Sequence, residues 1–548
     1  MGTVPAKTTV LIIGGGPAGS YSASVLAREG VDVVLLEADK FPRYHIGESM
    51  LASMRFYLKF IELEETFDRH GFEKKFGATF KINAKKEAFT NFAHTLGPKG
   101  HSWNVIRSES DELIFRHAEK SGAKTFDGTK VDSITFEPYP HDGFNAEARL
   151  ANPGHPVAAD WSRKDGTKGT IRFDYLVDAS GRNGILSTKY LKNRRFNEGL
   201  KNIANWAYWK GAKRFRPGAE NENSPFFEAL EDGSGWVWAI PLHNGTLSVG
   251  IAARQDFFFS RKKANGLEGK EFYKDYLRLV PQIHEMLSEA EIVSDLKQAS
   301  DWSYSASAYG GPHFRIVGDA GCFVDPYFSS GVHLALNSGL AAAVSIQASR
   351  RGQVEELRAA KWHSTKVAEG YTRFLLLVMT VLRQVRLKDA DLITSEEEDG
   401  FDTAFEKIRP VIQGVADSDT ANIKIQKNAA EGVEFGLNSF EITPEKQRSV
   451  IDKVERAQAS PEALEKLTPE EVHILDNIVL RTFDKSKEEL NLSSFAGEII
   501  DGLSANLVHG DLGIVEKASG PIANLAGPPA QVEAVEAVAV GREIKQAA

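Results

Sequence analysis

A single cysteine, Cys322, in 548 residues removes two kinds of chemistry at once. No intramolecular disulfide can form, and one thiolate is too few for a zinc–thiolate or iron–sulfur centre. No metal site is expected. The scarcity also favours a reducing compartment. Basic excess is missing: 66 lysines and arginines face 75 aspartates and glutamates, a formal charge of -9, and the pI is near 5.9. Such a chain has no global field for nucleic acid, and its one local cluster, Lys192, Arg194 and Arg195, reads as a solvated face. Long apolar runs are missing too. Phe374–Leu382 is the longest strongly apolar run and falls far short of the roughly 20 residues needed to span a membrane, so it is expected inside a buried helix. Met1 to Thr9 has no apolar secretory core. The expectation is a cytoplasmic protein with no membrane span.

What remains is 42% hydrophobic and 26% charged, enough for two or three domains and a large buried cofactor. Val10 to Ile13 reads as a strand, Pro17 to Arg28 as a helix and Val33 to Glu37 as a second strand. Between the first strand and the helix lie Gly14, Gly15, Gly16, Pro17, Ala18 and Gly19, a G-x-G-x-x-G in the context that gives the pattern meaning. Gly14 permits the tight turn, backbone near Gly15, Gly16 and Ala18 can approach a pyrophosphate, and Gly19 lets the helix pack on the strand. Glu37 closes the unit, where its carboxylate can accept hydrogen bonds from a ribose. This argues for a dinucleotide and leaves NAD and FAD open.

Further along, Tyr175–Arg182 and Ile316–Ala320 are each an apolar strand ending in an acid and small residues, Asp178 and Asp319. Lys130 to Asp174 and roughly 202–253 alternate as strands do, and are expected to form a sheet over the first unit. Glu271 onward reads as helical, as does most of Glu355 to His509, with a turn-prone interval from Asp391 to Asp402. The expected division is 1–355 for the cofactor domain with its sheet-rich region, 356–516 for a helical C-terminal part, and 517–548 for a disordered tail. No internal repeat is visible.

Trp236-Val237-Trp238-Ala239-Ile240-Pro241 is, taken alone, two indoles alternating in a strand core. In company with the glycine loop, Gly47-Glu48-Ser49, the two later strand–acid segments and Asp325–Ala335, it resembles the flavin-dependent halogenases of the FAD monooxygenase superfamily. The pattern looks most like the fungal halogenases of phenolic polyketides, and covers about residues 8 to 385 well. The resemblance implies an α/β fold: a FAD-binding Rossmann-like domain of the GR2/PHBH type, a β-sheet substrate region and a helical C-terminal part. FAD would be supplied reduced, as FADH2, by a separate NAD(P)H-dependent flavin reductase, and chloride or bromide would be the co-substrate. The organic substrate would be an electron-rich phenol, free or tethered to a carrier.

Residue by residue, the resemblance implies that Arg43, Glu48, Arg107, Asp319 and the Val332 backbone contact FAD. Ser330 and Gly331, opening a helix, would hold the halide, and Trp236 and Trp238 would shield the flavin from the arene. The essential lysine falls on Lys75, with Lys74 open by one position; an ammonium there can hydrogen-bond hypochlorous acid, and a neutral amine can be chlorinated. Each has a plain alternative: a helix N-cap for Glu48 and Ser49, a surface ion pair with Asp111 for Arg107, solvated surface for a lysine. Phe328 departs from the tryptophan-type enzymes, which carry glutamate there. With no base at that point, ring activation must come from the substrate. Two other functions stay open: an NAD(P)H-linked aromatic hydroxylase, or a flavin-dependent reductase of unsaturated lipids, on the same fold, and a catalytically silent flavin-fold binding protein.

Overall fold

Val10, Leu11, Ile12 and Ile13 are apolar on successive positions, so both faces of this strand need cover, as in a parallel sheet with layers on each side. The computed structural model, which describes residues 2–82, 87–139, 153–386, 411–414, 417 and 492–517, provides it. Strand β1 (Lys7–Ile13), helix α1 (Pro17–Arg28) and strand β2 (Val33–Leu36) form the expected unit. β1 pairs in parallel with β2 on one side and with the strand Lys168–Asp178 on the other, which in turn pairs in parallel with Phe314–Ile316. Ile13 is level with Leu36 and Asp178, and Asp178 with Ile316. Four carboxyl ends therefore share one edge, the place where open α/β sheets bind ligands.

The strands Thr129–Glu137 and His155–Arg163 belong to this same sheet, antiparallel to one another, with His155–Arg163 pairing the first half of Lys168–Asp178. That corrects the expectation that Lys130 to Asp174 overlies the unit. Alternation specifies that a strand has two unlike faces, not which sheet it joins, and here the length of Lys168–Asp178 lets it pair twice.

The second sheet runs in the order Glu291–Ile292, Arg194–Lys210, Thr246–Arg254, Gly235–Pro241, Phe226–Ala229, Gly77–Lys81, Ala88–Asn91. Its register explains how it carries large rings on one face. Gly250 stands between Trp206 and Trp238, and Ala252 between Ala204 and Trp236. A Cβ on Gly250 would lie 2.0 Å from the Trp238 ring, so small residues on the central strand make room for the indoles on its neighbours.

The helical reading after Glu271 holds only for short pieces. Gly269–Leu277 and Pro281–Met286 are helices, but the chain then returns to the strands Glu291–Ile292 and Lys297–Ala306. Pairing with Arg194–Lys210 outweighs local propensity there. Glu356–Arg386 is one long helix, and Phe374, Leu377, Val378, Val381 and Leu382 of the apolar run are buried in it. Near the end of the expected helical part, Leu503–Asn506 and Gly513–Glu516 instead form an antiparallel hairpin. Its Leu503, Ala505, Leu512 and Ile514 join the core that contains Tyr21 and Leu26 of α1. The interval 391–402 and the tail beyond 517 lie outside the described residues. Among the described residues no helix is long and apolar enough to cross a membrane.

Candidate active site

The turn after β1 is built by steric exclusion. Gly14 has φ +103°, and a Cβ there would lie 2.2 Å from the Ala179 carbonyl oxygen; at Gly19 it would lie 2.0 Å from the carbonyl oxygen of Gly14. Backbone faces backbone at both places, so no side chain can be accommodated. Gly15 donates its N–H to Glu37 Oε2 at 2.6 Å, and Glu37 Oε1 accepts from Asp39 N at 2.9 Å. The carboxylate expected to meet a ribose thus also ties the loop to the end of β2, keeping further lone pairs for a ligand. Gly14, Gly16 and Ala18 line a cavity of about 780 Å³ between the two sheets, whereas Gly15 and Gly19 serve packing behind it.

Arg107 opens the helix Arg107–Lys120 and is 5% exposed, so it is no surface ion pair. It donates to both oxygens of Asp111 at 2.8 and 3.0 Å and to the carbonyls of Ile46 and Gly47 at 2.8 and 3.2 Å. Arg43 shares Asp111 at 3.1 Å. Arg107 thus braces the Ile46–Gly47 backbone, and Arg107 with burial holds the neighbouring His45 down to about pKa 4. Glu48 is buried, not an N-cap. Burial pushes its carboxyl up to about pKa 6, while Oε1 accepts from Tyr208 Oη at 2.6 Å. Burial likewise raises Asp319, which stands on the cavity wall.

Residues 47–50 act as a partition. Glu48 carbonyl accepts from Val105 N at 2.7 Å and Met50 N donates to Trp103 carbonyl at 3.0 Å. Gly47, Glu48 and Ser49 line the cavity, and on the other side the Met50 carbonyl accepts from Lys75 Nζ at 2.9 Å. Lys75 is 2% exposed, and burial lowers its pKa to about 7. Its neighbour Lys74 points the opposite way, into solvent. The structure therefore sets Lys75 behind the cavity wall instead of on it, beside the Phe92 ring at 5.1 Å.

At the far end, Ser329 adopts φ +56° and Asp325 accepts from Tyr327 N at 3.0 Å, turning the chain into the helix Gly331–Arg350. Gly331 and Val332 line the cavity. A Cβ at Gly331 would meet open space, and Ser330 is buried just beneath. Phe328 is buried against Phe80 and Tyr327, with ring centroids at 5.5 and 5.0 Å. Trp236 and Trp238 both reach the cavity, their centroids 5.7 Å apart.

Sequence reasoning missed a third indole, Trp206, which also lines the cavity and donates to Tyr44 Oη at 2.6 Å. It missed Tyr208 as well, the partner of Glu48. The alternation of Ala204, Trp206 and Tyr208 on one strand was the available signal. A second omission is His333, in the first turn of the helix Gly331–Arg350, buried between Ser53 Oγ at 2.9 Å and Asp417 Oδ2 at 3.0 Å. No motif connects residues so far apart in sequence.

The walls fit FAD. The glycine cradle leaves no room for side chains, the N-terminus of α1 has no side-chain cap, and the two sheets supply an apolar face.

Comparison with known proteins agrees. The FAD binding domain family matches residues 7–374. A flavin-dependent halogenase of Pestalotiopsis fici is 70% identical, over 97% of this chain and 98% of its own. The sulochrin halogenase of Aspergillus terreus is 63% identical, over 93% and 94%. Among solved structures, the flavin-dependent halogenase CmlS superposes with TM-score 0.61 at 27% identity, over 82% of this chain and 78% of its own. The flavin-dependent brominase Bmp2 gives TM-score 0.62 at 23% identity, over 82% and 99%, a likeness of fold.

Proposed function

The chain belongs to the flavin-dependent halogenases, and from that premise we propose that it halogenates an electron-rich phenol, with Lys75 carrying the halogen to the ring. The observation that supports this reading most is the partition at residues 47–50, with a cofactor cavity on one side and a buried lysine of lowered pKa on the other.

Bound in its reduced form, FAD supplies the reduction of oxygen that drives halide oxidation. The protein's residues do the rest. Gly14, Gly16 and the start of α1 would receive the pyrophosphate, Glu37 and Asp319 would accept from ribose and ribityl hydroxyls, and Arg107, which shares Asp111 with Arg43, keeps the Gly47 segment in place. Ser330 and Gly331 present the helix N-terminus to chloride or bromide, where the dipole favours an anion. Trp206, Trp236 and Trp238 exclude the arene and bulk water from this compartment. Beyond the partition, Lys75 receives hypohalous acid, either holding it by a hydrogen bond from the ammonium or, as the neutral amine, taking its halogen while the hydroxide and the amine proton leave as water. Its lowered pKa keeps a large share of the amine neutral near pH 7, so the nitrogen lone pair is available, and its ammonium form can donate a hydrogen bond.

Phe328 offers no proton acceptor, so the substrate's own oxygen must supply electron density at the positions ortho and para to it. A separate flavin reductase delivers FADH2, as the membership of the chain in the flavin-dependent halogenases leads one to expect. The test is a competition under one flavin supply: purified protein, reductase, NADH, FAD and chloride, with equimolar resorcinol and tryptophan, followed by mass spectra. Sulochrin, the compound named for one relative, belongs in the same panel. Chlorinated resorcinol is expected to dominate by tenfold or more, and faster chlorination of tryptophan would overturn the phenolic assignment.

A further inference from the structure

Outside the cavity, three side chains with metal-ligating atoms converge from three elements. His70 ends the helix Glu64–His70, Glu109 lies in the first turn of Arg107–Lys120, and His243 sits in the turn joining Gly235–Pro241 to Thr246–Arg254. Their ligand atoms all lie within 4.8 Å of one another. Glu109 Oε2 is 2.7 Å from His70 Nε2 and 3.2 Å from His243 Nε2. Phe72 is buried between the imidazoles, 4.2 Å from the His70 ring and 5.5 Å from the His243 ring by centroids, and so limits their rotation.

We propose that His70, Glu109 and His243 form a divalent transition-metal site, suited to Zn²⁺, that ties the helix headed by Arg107 to the turn of the tryptophan strand. The donor set decides the class of ion. Imidazoles suit zinc, copper, iron and nickel and are poor ligands for magnesium or calcium. Two imidazoles and one carboxylate, with the side chains 22–35% exposed, leave a position for water, the pattern of zinc held by three protein ligands. Bonds of about 2.0–2.2 Å in a tetrahedron place donors roughly 3.3 Å apart. The His243–Glu109 pair is already there, and the His70–Glu109 pair needs to open by about half an ångström.

Without a metal, two imidazoles share one carboxylate oxygen; a metal engages all three groups. His243 Nδ1 is buried with no partner among the described residues. An outer acceptor on such a nitrogen is typically worth about 10–100-fold in affinity, so the site is weaker than a closed structural zinc site. The single cysteine excludes thiolate centres and has no bearing on this one. Separations of 39 and 134 residues in the chain (70 to 109, 109 to 243) hide it from any spacing motif.

The experiment uses the full chain treated with chelator and then dialysed. Calorimetric titration with Zn²⁺ at neutral pH is expected to give one equivalent bound, unaffected by excess Mg²⁺, and Co²⁺ in its place should give the visible absorption of a low-coordinate site. His70→Ala and His243→Ala should each weaken binding more than tenfold while FAD titration stays normal, which establishes that the variants are folded. Zn²⁺ should raise the Tm of the parent and not of the double variant. Absence of stoichiometric binding, or binding retained in the double variant, would overturn the site.

Discussion

Lys74 and Lys75 differ by one position, and everything that separates them is environment. A strand turns successive side chains to opposite faces, so Lys74 meets water and Lys75 meets Phe92 and the Met50 carbonyl. We expect Lys75→Ala to lower halogenated product roughly 100-fold or more while oxygen consumption by the reduced flavin continues, and Lys74→Ala to retain product; product mass spectra beside an oxygen electrode check both. The lysine also marks the protein's response to pH. Its folded-state pKa of about 7 lies below the unfolded value near 10.4, so between these limits the unfolded chain holds the extra proton. Stability contributed at this site therefore rises with pH across that window, and the penalty of the buried charge is fully present below about pH 7. Parent and Lys75→Met should accordingly differ in the slope of Tm against pH from 7 to 10, the parent rising more steeply; parallel slopes would refute the shifted amine. The sequence was enough to nominate Lys75, because the neighbouring strand resembled a known one. It could not give the burial, which comes from Met50 and Phe92 in other segments. Tyr208 beside Glu48, 160 positions away, was out of reach for the same reason.

At the level of elements, the readable parts were those whose constraint is local. β1, the glycine turn and α1 are specified by contiguous apolar residues and by positions that exclude a Cβ; the helix Pro17–Arg28 and the end of β1 at Ile13 match the expectation, while β1 begins at Lys7, three residues before the apolar run at Val10. Gly19→Ala forces a methyl to 2.0 Å from a backbone oxygen that cannot yield, so FAD affinity should fall at least tenfold in a fluorescence titration. An unchanged Kd would show the turn to be adaptable. The unreadable parts depend on partners. The hairpin Leu503–Glu516 has strands of four residues, too short for a period to declare itself beside helical surroundings. The fit of Gly250 between Trp206 and Trp238 requires knowing the register of three strands. Gly250→Ala pushes a methyl into the Trp238 ring, and we expect the displaced indole to leak oxidant: free hydrogen peroxide per NADH should rise several-fold, with no hydroxylated product. Hydroxylation of the phenol in that variant would contradict the separation of compartments.

The whole molecule places the large cavity and Lys75 on opposite sides of the 47–50 segment, and on the proposed reading that cavity takes FAD from a separate reductase. Purified alone with NADH, FAD and substrate, it should oxidise NADH at little above the rate without protein, and an added flavin reductase should restore halogenation. Rapid substrate-stimulated NADPH oxidation by the isolated chain would instead identify a hydroxylase.

Glu29, at the end of α1, accepts from Gly510 N at 2.8 Å and Leu512 N at 3.3 Å, and Arg351 joins the same carboxylate at 3.2 Å. The last described hairpin is thus fastened to the first helix. During synthesis at about 5–20 residues per second, roughly half a minute to a minute and a half separates the emergence of α1 from that of the strands that cover its neighbourhood. The nascent nucleotide-binding part spends that interval with the apolar surface that Leu503, Ala505, Leu512 and Ile514 will cover still unclaimed. A chain ended before Leu503 is therefore expected to leave that surface open to solvent and to aggregate more than one carried through Glu516, which light scattering of the two purified forms would check.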